Sequence, residues 1–366
     1  MKFSDFQLLK SLQSTLKEKS FTTPTEIQEM AIPAMLNRRS LVGIAETGSG
    51  KTLSYVLPIL HLLKTMENDG NKVTEDGTPR ALVLVPSREL GEQVSKVFKT
   101  FTHDTRMRVR SVLGGTALAV AKENIRGGLE VLVATPGRLE QLIQRRQVDL
   151  DDLQILVIDE ADVMVDAGFI EVAEKILSAC PETMQLALFS ATISAEVQKL
   201  LSEIFEGVEI FRTKRSERVA VGLKTQNQTV QNGKRWPILK KLLEEKRAGS
   251  TLIFTNTREQ CDELAQLLVK NKVEHVIYRG EMDKVERRQN LKAFRDGEIK
   301  VLLSTDLASR GLDVEHVDRV INYNMPAHVE NYLHRVGRTA RAGRSGLAIN
   351  FVTERDAEIV KKIKSL

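Results

Sequence analysis

Leu41-Val42-Gly43-Ile44-Ala45-Glu46-Thr47-Gly48-Ser49-Gly50-Lys51-Thr52 sets a short apolar run before a glycine-rich turn that ends in lysine and threonine. This order predicts a buried strand feeding a helix, with Lys51 and Thr52 at the helix start. Small residues let backbone N–H groups approach phosphate oxygens, and the helix start adds positive potential. Lys51 has the reach for terminal phosphates, and the Thr52 hydroxyl suits Mg²⁺. Ala45 stands where the generic phosphate loop has its first glycine. A turn that only joined strand to helix would account for Gly48 and Gly50 but not for Lys51 and Thr52 together. Nucleotide binding through Ala45, Glu46, Thr47, Gly48, Ser49, Gly50, Lys51 and Thr52 is therefore expected, with kinase, GTPase, transporter ATPase and helicase all open.

Working outward, Val-, Ile- and Leu-rich runs alternate with longer amphipathic stretches, the mark of parallel sheets covered by helices. Strands are expected at 41–45, 80–86, 130–134, 154–158 and 185–190, and again at 250–255, 273–278, 299–304, 317–323 and 347–352. The fold class is α/β in two domains, each a mostly parallel sheet flanked by helices, and 366 residues exceed what one core usually holds. The polar, basic stretch after Phe211 reads as a connection, dividing the chain into 1–212, a linker at 213–233 and 234–366. Residues 68–79 read as a surface loop.

Asp159 and Glu160 directly follow the apolar run Ile155-Leu156-Val157-Ile158, where ligands gather at the carboxyl ends of parallel strands. Asp159 is expected to hold Mg²⁺, chiefly through water, and Glu160 to orient or deprotonate the attacking water. Two acids ending a strand can simply cap a helix, but the upstream phosphate loop favours the catalytic reading.

Asp159-Glu160-Ala161-Asp162 spells the motif that names the DEAD-box RNA helicases, and further signatures follow in order. Ser190-Ala191-Thr192 resembles the family motif that couples hydrolysis to unwinding, and Thr135-Pro136-Gly137-Arg138 one of its RNA-contacting loops. Ser304-Thr305-Asp306 through Arg310-Gly311-Leu312-Asp313 and His334-Arg335-Val336-Gly337-Arg338-Thr339-Ala340-Arg341 resemble two motifs of the second domain. Phe21, Pro24, Thr25, Ile27 and Gln28 resemble the family's Q motif, with Phe3 either part of it or plain core.

The resemblance spans the chain from Phe3 to about Val352 and implies two tandem RecA-like domains of the P-loop NTPase type. It implies ATP and Mg²⁺ as cofactors, with Phe21, Gln28 and Asp313 joining the phosphate loop in binding ATP. A side-chain amide carries donors and acceptors for the adenine edge, and Phe21 offers a stacking face. It further implies Arg338 and Arg341 as arginine fingers and Ser190, Thr192 and His334 as coupling residues. Arg88, Gly115, Thr135, Arg138, Arg287 and Thr305 are implied as RNA contacts. Departures from the pattern are Ser20 for a glycine, Ser87 for a threonine, Lys284 for a glutamine and Ala340 for a glycine, which bear on efficiency more than on identity.

Lys and Arg outnumber Asp and Glu by 54 to 49, which suits a polyanionic partner without establishing one. Aromatic residues are only 5%, so a grip on the RNA backbone fits better than base stacking, with little sequence preference and marked salt dependence. No signal peptide or membrane-spanning run is read, and Cys180 and Cys261 lack metal spacing, so a soluble, cytoplasmic monomer acting on single-stranded and short duplex RNA is expected. An ATP-gated RNA clamp and a DNA translocase are the competing readings.

Overall fold

Four-residue runs such as Ala81–Leu84 and Ile155–Ile158, buried at every position, mark strands covered on both faces. The computed structural model describes residues 1–46, 48–73, 75–192, 208–213, 223–245, 249–279, 282–305, 314, 317–339 and 345–364, and the chain divides into two units, Met1–Ser216 and Glu217–Leu366.

The first unit is built on β1 (Leu41–Ile44), β2 (Ala81–Leu84), β3 (Val109–Val112), β4 (Val131–Ala134), β5 (Ile155–Ile158), β6 (Gln185–Ser190) and β7 (Glu209–Arg212). They form one sheet in the order β3-β4-β2-β5-β6-β1-β7, and every pairing is parallel. Successive side chains leave opposite faces. Val83, Val157 and Phe189 therefore enter one core with Leu16, Ile27, Leu60 and Val94 from the helices, while Leu82, Leu156 and Leu188 enter the other with Leu139 and Ile176. Because all strands run the same way, the segments leaving β1 to β6 emerge on a single edge of the sheet.

The second unit repeats the plan with β8 (Leu223–Thr229), β9 (Thr251–Thr255), β10 (Val276–Tyr278), β11 (Val301–Thr305), β12 (Arg319–Asn322) and β13 (Gly346–Val352). The order is β10-β11-β9-β12-β13-β8, again all parallel.

The expected strands form within a few residues of their predicted limits, and three others were not anticipated. β3 carries Arg110 and Ser111 at its centre, and β7 is a short, mostly exposed edge strand. β8 lies inside the stretch 213–233 expected as a linker: residues 223–229 pair with β13 along their whole length. Its sequence, Leu-Lys-Thr-Gln-Asn-Gln-Thr, is mostly exposed, so an edge strand held by backbone bonds carries no apolar signal. The loop at 68–79 is pinned at both ends. Buried Arg80 donates to Asn71 O and Oδ1 at 2.5 and 2.6 Å, and Asp76 Oδ1 accepts the backbone N–H groups of Gly127 and Gly128.

Among the described residues no helix is long and apolar enough to cross a membrane, and both cysteines are free thiols, Cys261 buried and Cys180 half-buried.

Candidate functional site

β1 leads into the phosphate loop, and the helix Lys51–Asn68 begins immediately after it. Gly48 and Gly50 adopt φ +83° and +89°, a region L side chains rarely enter, and a Cβ at Gly50 would stand 2.3 Å from Gln28 Nε2. Lys51 is buried, and its ammonium donates to Ala45 O at 2.5 Å and Glu46 O at 3.1 Å, inside the loop itself. Ser49 Oγ is buried without a hydrogen-bond partner among the described residues. A cation, a buried hydroxyl and a helix start converging on one small loop fit a chain of phosphates. Thr47 lies outside the described residues.

Two strands away, β5 delivers Asp159, which is 2% exposed. Its Oδ1 accepts the Glu160 N–H at 2.9 Å and its Oδ2 accepts the Tyr55 hydroxyl at 2.7 Å. Burial lifts the Asp159 carboxyl above the ordinary aspartate value, against the opposing pull of Lys51 and the Tyr55 bond. A buried carboxylate with Lys51 near enough to act on its charge fits a hydrated divalent cation, whose charge would offset that burial. Among the described residues no cluster of three or more His, Cys, Asp or Glu could cage a metal, so such an ion would take its other oxygens from phosphate and water. Glu160 sits at φ 49°, ψ 54°, left-handed for a non-glycine residue and costing about 1 kcal/mol. Strain of this kind gathers at functional positions.

The fourth letter of the same motif closes a network that sequence reading did not assign. Asp162 Oδ2 accepts both the N–H and the hydroxyl of Thr192, at 3.0 and 2.9 Å. Ser190 Oγ accepts the Asp162 N–H at 3.3 Å and donates to Thr192 O at 2.7 Å. β6, carrying Ser190, lies between β5 and β1, so this network stands beside the phosphate loop. Gly43 makes that packing close, since a Cβ there would meet the Phe189 ring at 2.7 Å.

Gln28, in the helix Glu26–Leu36, ties the upstream motif to the phosphate loop. Its Oε1 accepts the Thr25 N–H at 2.9 Å and its Nε2 donates to Gly50 O at 2.9 Å. One N–H and one lone pair of the amide remain for a ligand. Phe21 exposes 42% of its surface, as a stacking face requires, whereas Phe3 is core, buried edge-on against Phe6. Ser20 adopts φ +60°, which explains why a glycine suits that position.

The expected RNA contacts of this unit follow β2, β3 and β4, on the same edge of the sheet as the phosphate loop but toward its other end. Ser87 Oγ caps the helix Arg88–Thr105 by accepting the Leu90 N–H at 3.2 Å, so serine keeps the required hydroxyl. Arg88 donates to Glu92 at 2.7 Å on that helix. Thr135 Oγ1 accepts the Gly114 N–H at 2.8 Å, Gly115 has φ +78°, and Arg138 donates to Thr116 O and Gln141. Three strand ends thus bring Arg88, Gly115, Thr135 and Arg138 into one region.

In the second unit Thr305 ends β11, and the Arg287 guanidinium, on the helix Lys284–Arg295, lies 5.6 Å from the centre of the Tyr278 ring. His334 is half-buried on the helix Val329–Val336, and Arg338 is buried just beyond it at 4% exposure. Arg335, which sequence reading left without a role, is fully buried and donates to Asn322, Asn324 O and Asn256. Asp306 to Asp313, Ala340 and Arg341 lie outside the described residues, as does the Lys284 side chain.

Comparison with known proteins bears directly on this arrangement. The DEAD/DEAH box helicase family model matches residues 25–200, and the helicase conserved C-terminal domain model matches 234–343. The DEAD-box ATP-dependent RNA helicase RhpA of Helicobacter pylori is 35% identical over 96% of this chain and 69% of its own length. The ATP-dependent RNA helicase DeaD of Mycobacterium tuberculosis is 34% identical over 99% of this chain and 62% of its own. Among solved structures, S. cerevisiae Dbp5 bound to RNA and ADP BeF3 matches with TM-score 0.84 and 28% identity, covering 99% of this chain and 92% of that one. A DEAD box protein from the hyperthermophile Methanococcus jannaschii matches with TM-score 0.56 and 31% identity, covering 100% and 96%.

Proposed function

This chain belongs to the DEAD-box family of ATP-dependent RNA helicases, and we propose the following division of work among its residues. The phosphate loop from Ala45 to Thr52 holds the nucleotide's phosphates, with Lys51 leaving its carbonyl partners to meet the terminal ones. Gln28 and Phe21 hold the adenine. Thr52 and Asp159 hold Mg²⁺, which when bound neutralises phosphate charge as the terminal P–O bond breaks. Glu160 orients the attacking water and takes its proton.

Arg338 and Arg341 supply positive charge from the second unit, so turnover needs both units, and Asp313 belongs to the nucleotide set. RNA engages Arg88, Gly115, Thr135 and Arg138 of the first unit and Arg287 and Thr305 of the second. Contacts of this kind address phosphate and sugar, so base preference is weak and the 2′-hydroxyl distinguishes RNA from DNA. His334, Ser190 and Thr192 pass the state of the nucleotide to the RNA-binding end. The acting species is taken as a cytoplasmic monomer, which sedimentation of the chain alone checks.

The observation that carries this reading is the Asp162 carboxylate, which joins the strand end bearing the hydrolytic acid to the strand end bearing Thr192. The test is ATP hydrolysis without nucleic acid, with single-stranded RNA and with matched DNA, using Glu160→Gln and Arg341→Ala as controls. Stimulation by RNA alone, lost in both variants, is expected. Equal stimulation by DNA would favour a translocase, and RNA retention with negligible turnover a clamp.

A further inference from the structure

Tyr55 lies four residues after Lys51 and three after Thr52, on the face of the helix Lys51–Asn68 that turns toward β5. It is fully buried, and its hydroxyl donates to Asp159 Oδ2 at 2.7 Å. The ring packs against Phe189 at 5.4 Å between centroids with a 47° tilt, which limits its freedom to swing away. Asp159 Oδ1 is held separately by the Glu160 N–H.

The carboxylate is thus gripped at both oxygens, one by backbone and one by the phenol. A buried hydroxyl carries a desolvation cost that a phenylalanine would avoid, so packing alone does not account for tyrosine here.

We propose that Tyr55 is a positioning residue for the metal: its hydroxyl fixes Asp159 Oδ2, so that the carboxylate presents its remaining lone pairs to a hydrated divalent cation at the phosphate loop. Tyr55 thereby sets how much Mg²⁺ nucleotide binding needs. The inference rests on the assignment of Thr52 and Asp159 to the metal.

The test is equilibrium binding of a fluorescent ADP to the full chain across a Mg²⁺ titration and in EDTA, for wild type, Tyr55→Phe, Asp159→Asn and the double variant. In Tyr55→Phe the Mg²⁺ concentration for half-maximal effect rises about tenfold, the size of one hydrogen bond to a charged group. Affinity in EDTA stays within about twofold, because the lost contact is to the metal-holding carboxylate and not to phosphate. The shift vanishes on the Asp159→Asn background. An unchanged or lowered Mg²⁺ requirement in Tyr55→Phe, or a shift of the same size on the Asp159→Asn background, overturns the proposal. Should the phenylalanine variant fail to fold, Tyr55→Leu is read in the same way. Nucleotide binding by wild type that ignores Mg²⁺ would overturn the metal assignment itself, whereas a Mg²⁺-dependent wild type with an unchanged variant would overturn only the role of Tyr55.

Discussion

Asp162 Oδ2 takes two hydrogen bonds from Thr192, one from its backbone N–H at 3.0 Å and one from its hydroxyl at 2.9 Å. Both residues are otherwise held by Ser190, so the segment after β6 is fixed to the acid-bearing segment after β5 by charge-assisted bonds. Thr192→Ala removes the hydroxyl bond and leaves the backbone one. Loss of one hydrogen bond to a charged group costs about 1.5–3 kcal/mol. ATP turnover with RNA is expected to stay within a few-fold of wild type while duplex unwinding falls at least about tenfold, by that same energy. Parallel turnover and strand-separation assays check this, and an equal fall in both would place Thr192 in the chemistry instead of the coupling.

Gln28 makes a different link, from Thr25 to Gly50 across the phosphate loop. Gln28→Ala removes a helix cap and the tie to Gly50 at once. Nucleotide affinity is expected to fall by up to about thirtyfold, as two neutral hydrogen bonds of roughly 1 kcal/mol each would suggest, and selection of ATP over GTP to narrow. Gln28→Glu keeps the acceptor for the Thr25 N–H but sets a carboxylate oxygen against the Gly50 carbonyl and adds negative charge at the phosphate loop, so its affinity should fall at least as far as that of Gln28→Ala. Competition binding with both nucleotides reads each effect.

His61 carries a pH dependence that is separate from the site. Its Nδ1 accepts the Leu9 N–H at 3.1 Å, which requires an unprotonated Nδ1, and partial burial holds its pKa below the usual histidine value. Because the folded pKa is depressed, the unfolded chain binds the proton more readily, and the contribution to stability is present above about pH 6.5 and lost as pH falls through the folded value. Melting temperature should drop more between pH 7 and pH 5 in wild type than in His61→Gln. Equal drops would show that the Leu9 contact does not depend on the protonation of His61.

What the sequence displayed was governed by burial. β1 and β5 are buried at every position and appear as unbroken apolar runs, β6 keeps one at Leu186-Ala187-Leu188-Phe189, and the residues that follow these runs are the ones with recognisable chemistry. β8 escaped because an exposed edge strand needs no apolar side chains. Tyr55 escaped for the opposite reason: within Leu53-Ser54-Tyr55-Val56-Leu57 an aromatic reads as core, and only its hydroxyl, aimed at Asp159, distinguishes it. Asp162 was visible as a letter of a motif, but its bonds to Thr192 span 30 residues and depend on β5 and β6 being neighbours, which no local pattern states.

Arg335 shows how a buried charge is held in the second unit. Its guanidinium lies 5.2 Å over the Phe254 ring and donates to Asn322 Oδ1 at 3.2 Å, Asn324 O at 2.7 Å and Asn256 Oδ1 at 2.7 Å. Asn322 Nδ2 donates to Asn350 Oδ1 at 2.8 Å, and Asn350 Nδ2 donates to Asn227 Oδ1 at 2.9 Å. The three amides run across β12, β13 and β8 with their oxygens all turned toward the cation, so their dipoles add along the chain of bonds. Arg335 in turn accepts the Arg338 N–H on its carbonyl at 3.2 Å, which places the turn bearing an expected arginine finger at the end of this ladder. Asn350→Leu would strand the buried Asn322 donor, while the exposed Asn227 acceptor turns to water. A loss of about 2 kcal/mol in the stability of the second unit is expected for leaving the buried Asn322 amide without its partner. RNA-stimulated hydrolysis should fall by more than nucleotide affinity, since the first unit is untouched. Asn350→Asp keeps an acceptor for Asn322 and should fall less in both respects. Denaturant melts and turnover of the two variants decide the matter: equal losses in Leu and Asp would mean that position 350 matters for packing alone, and the alignment of the ladder would then have no part in holding Arg338.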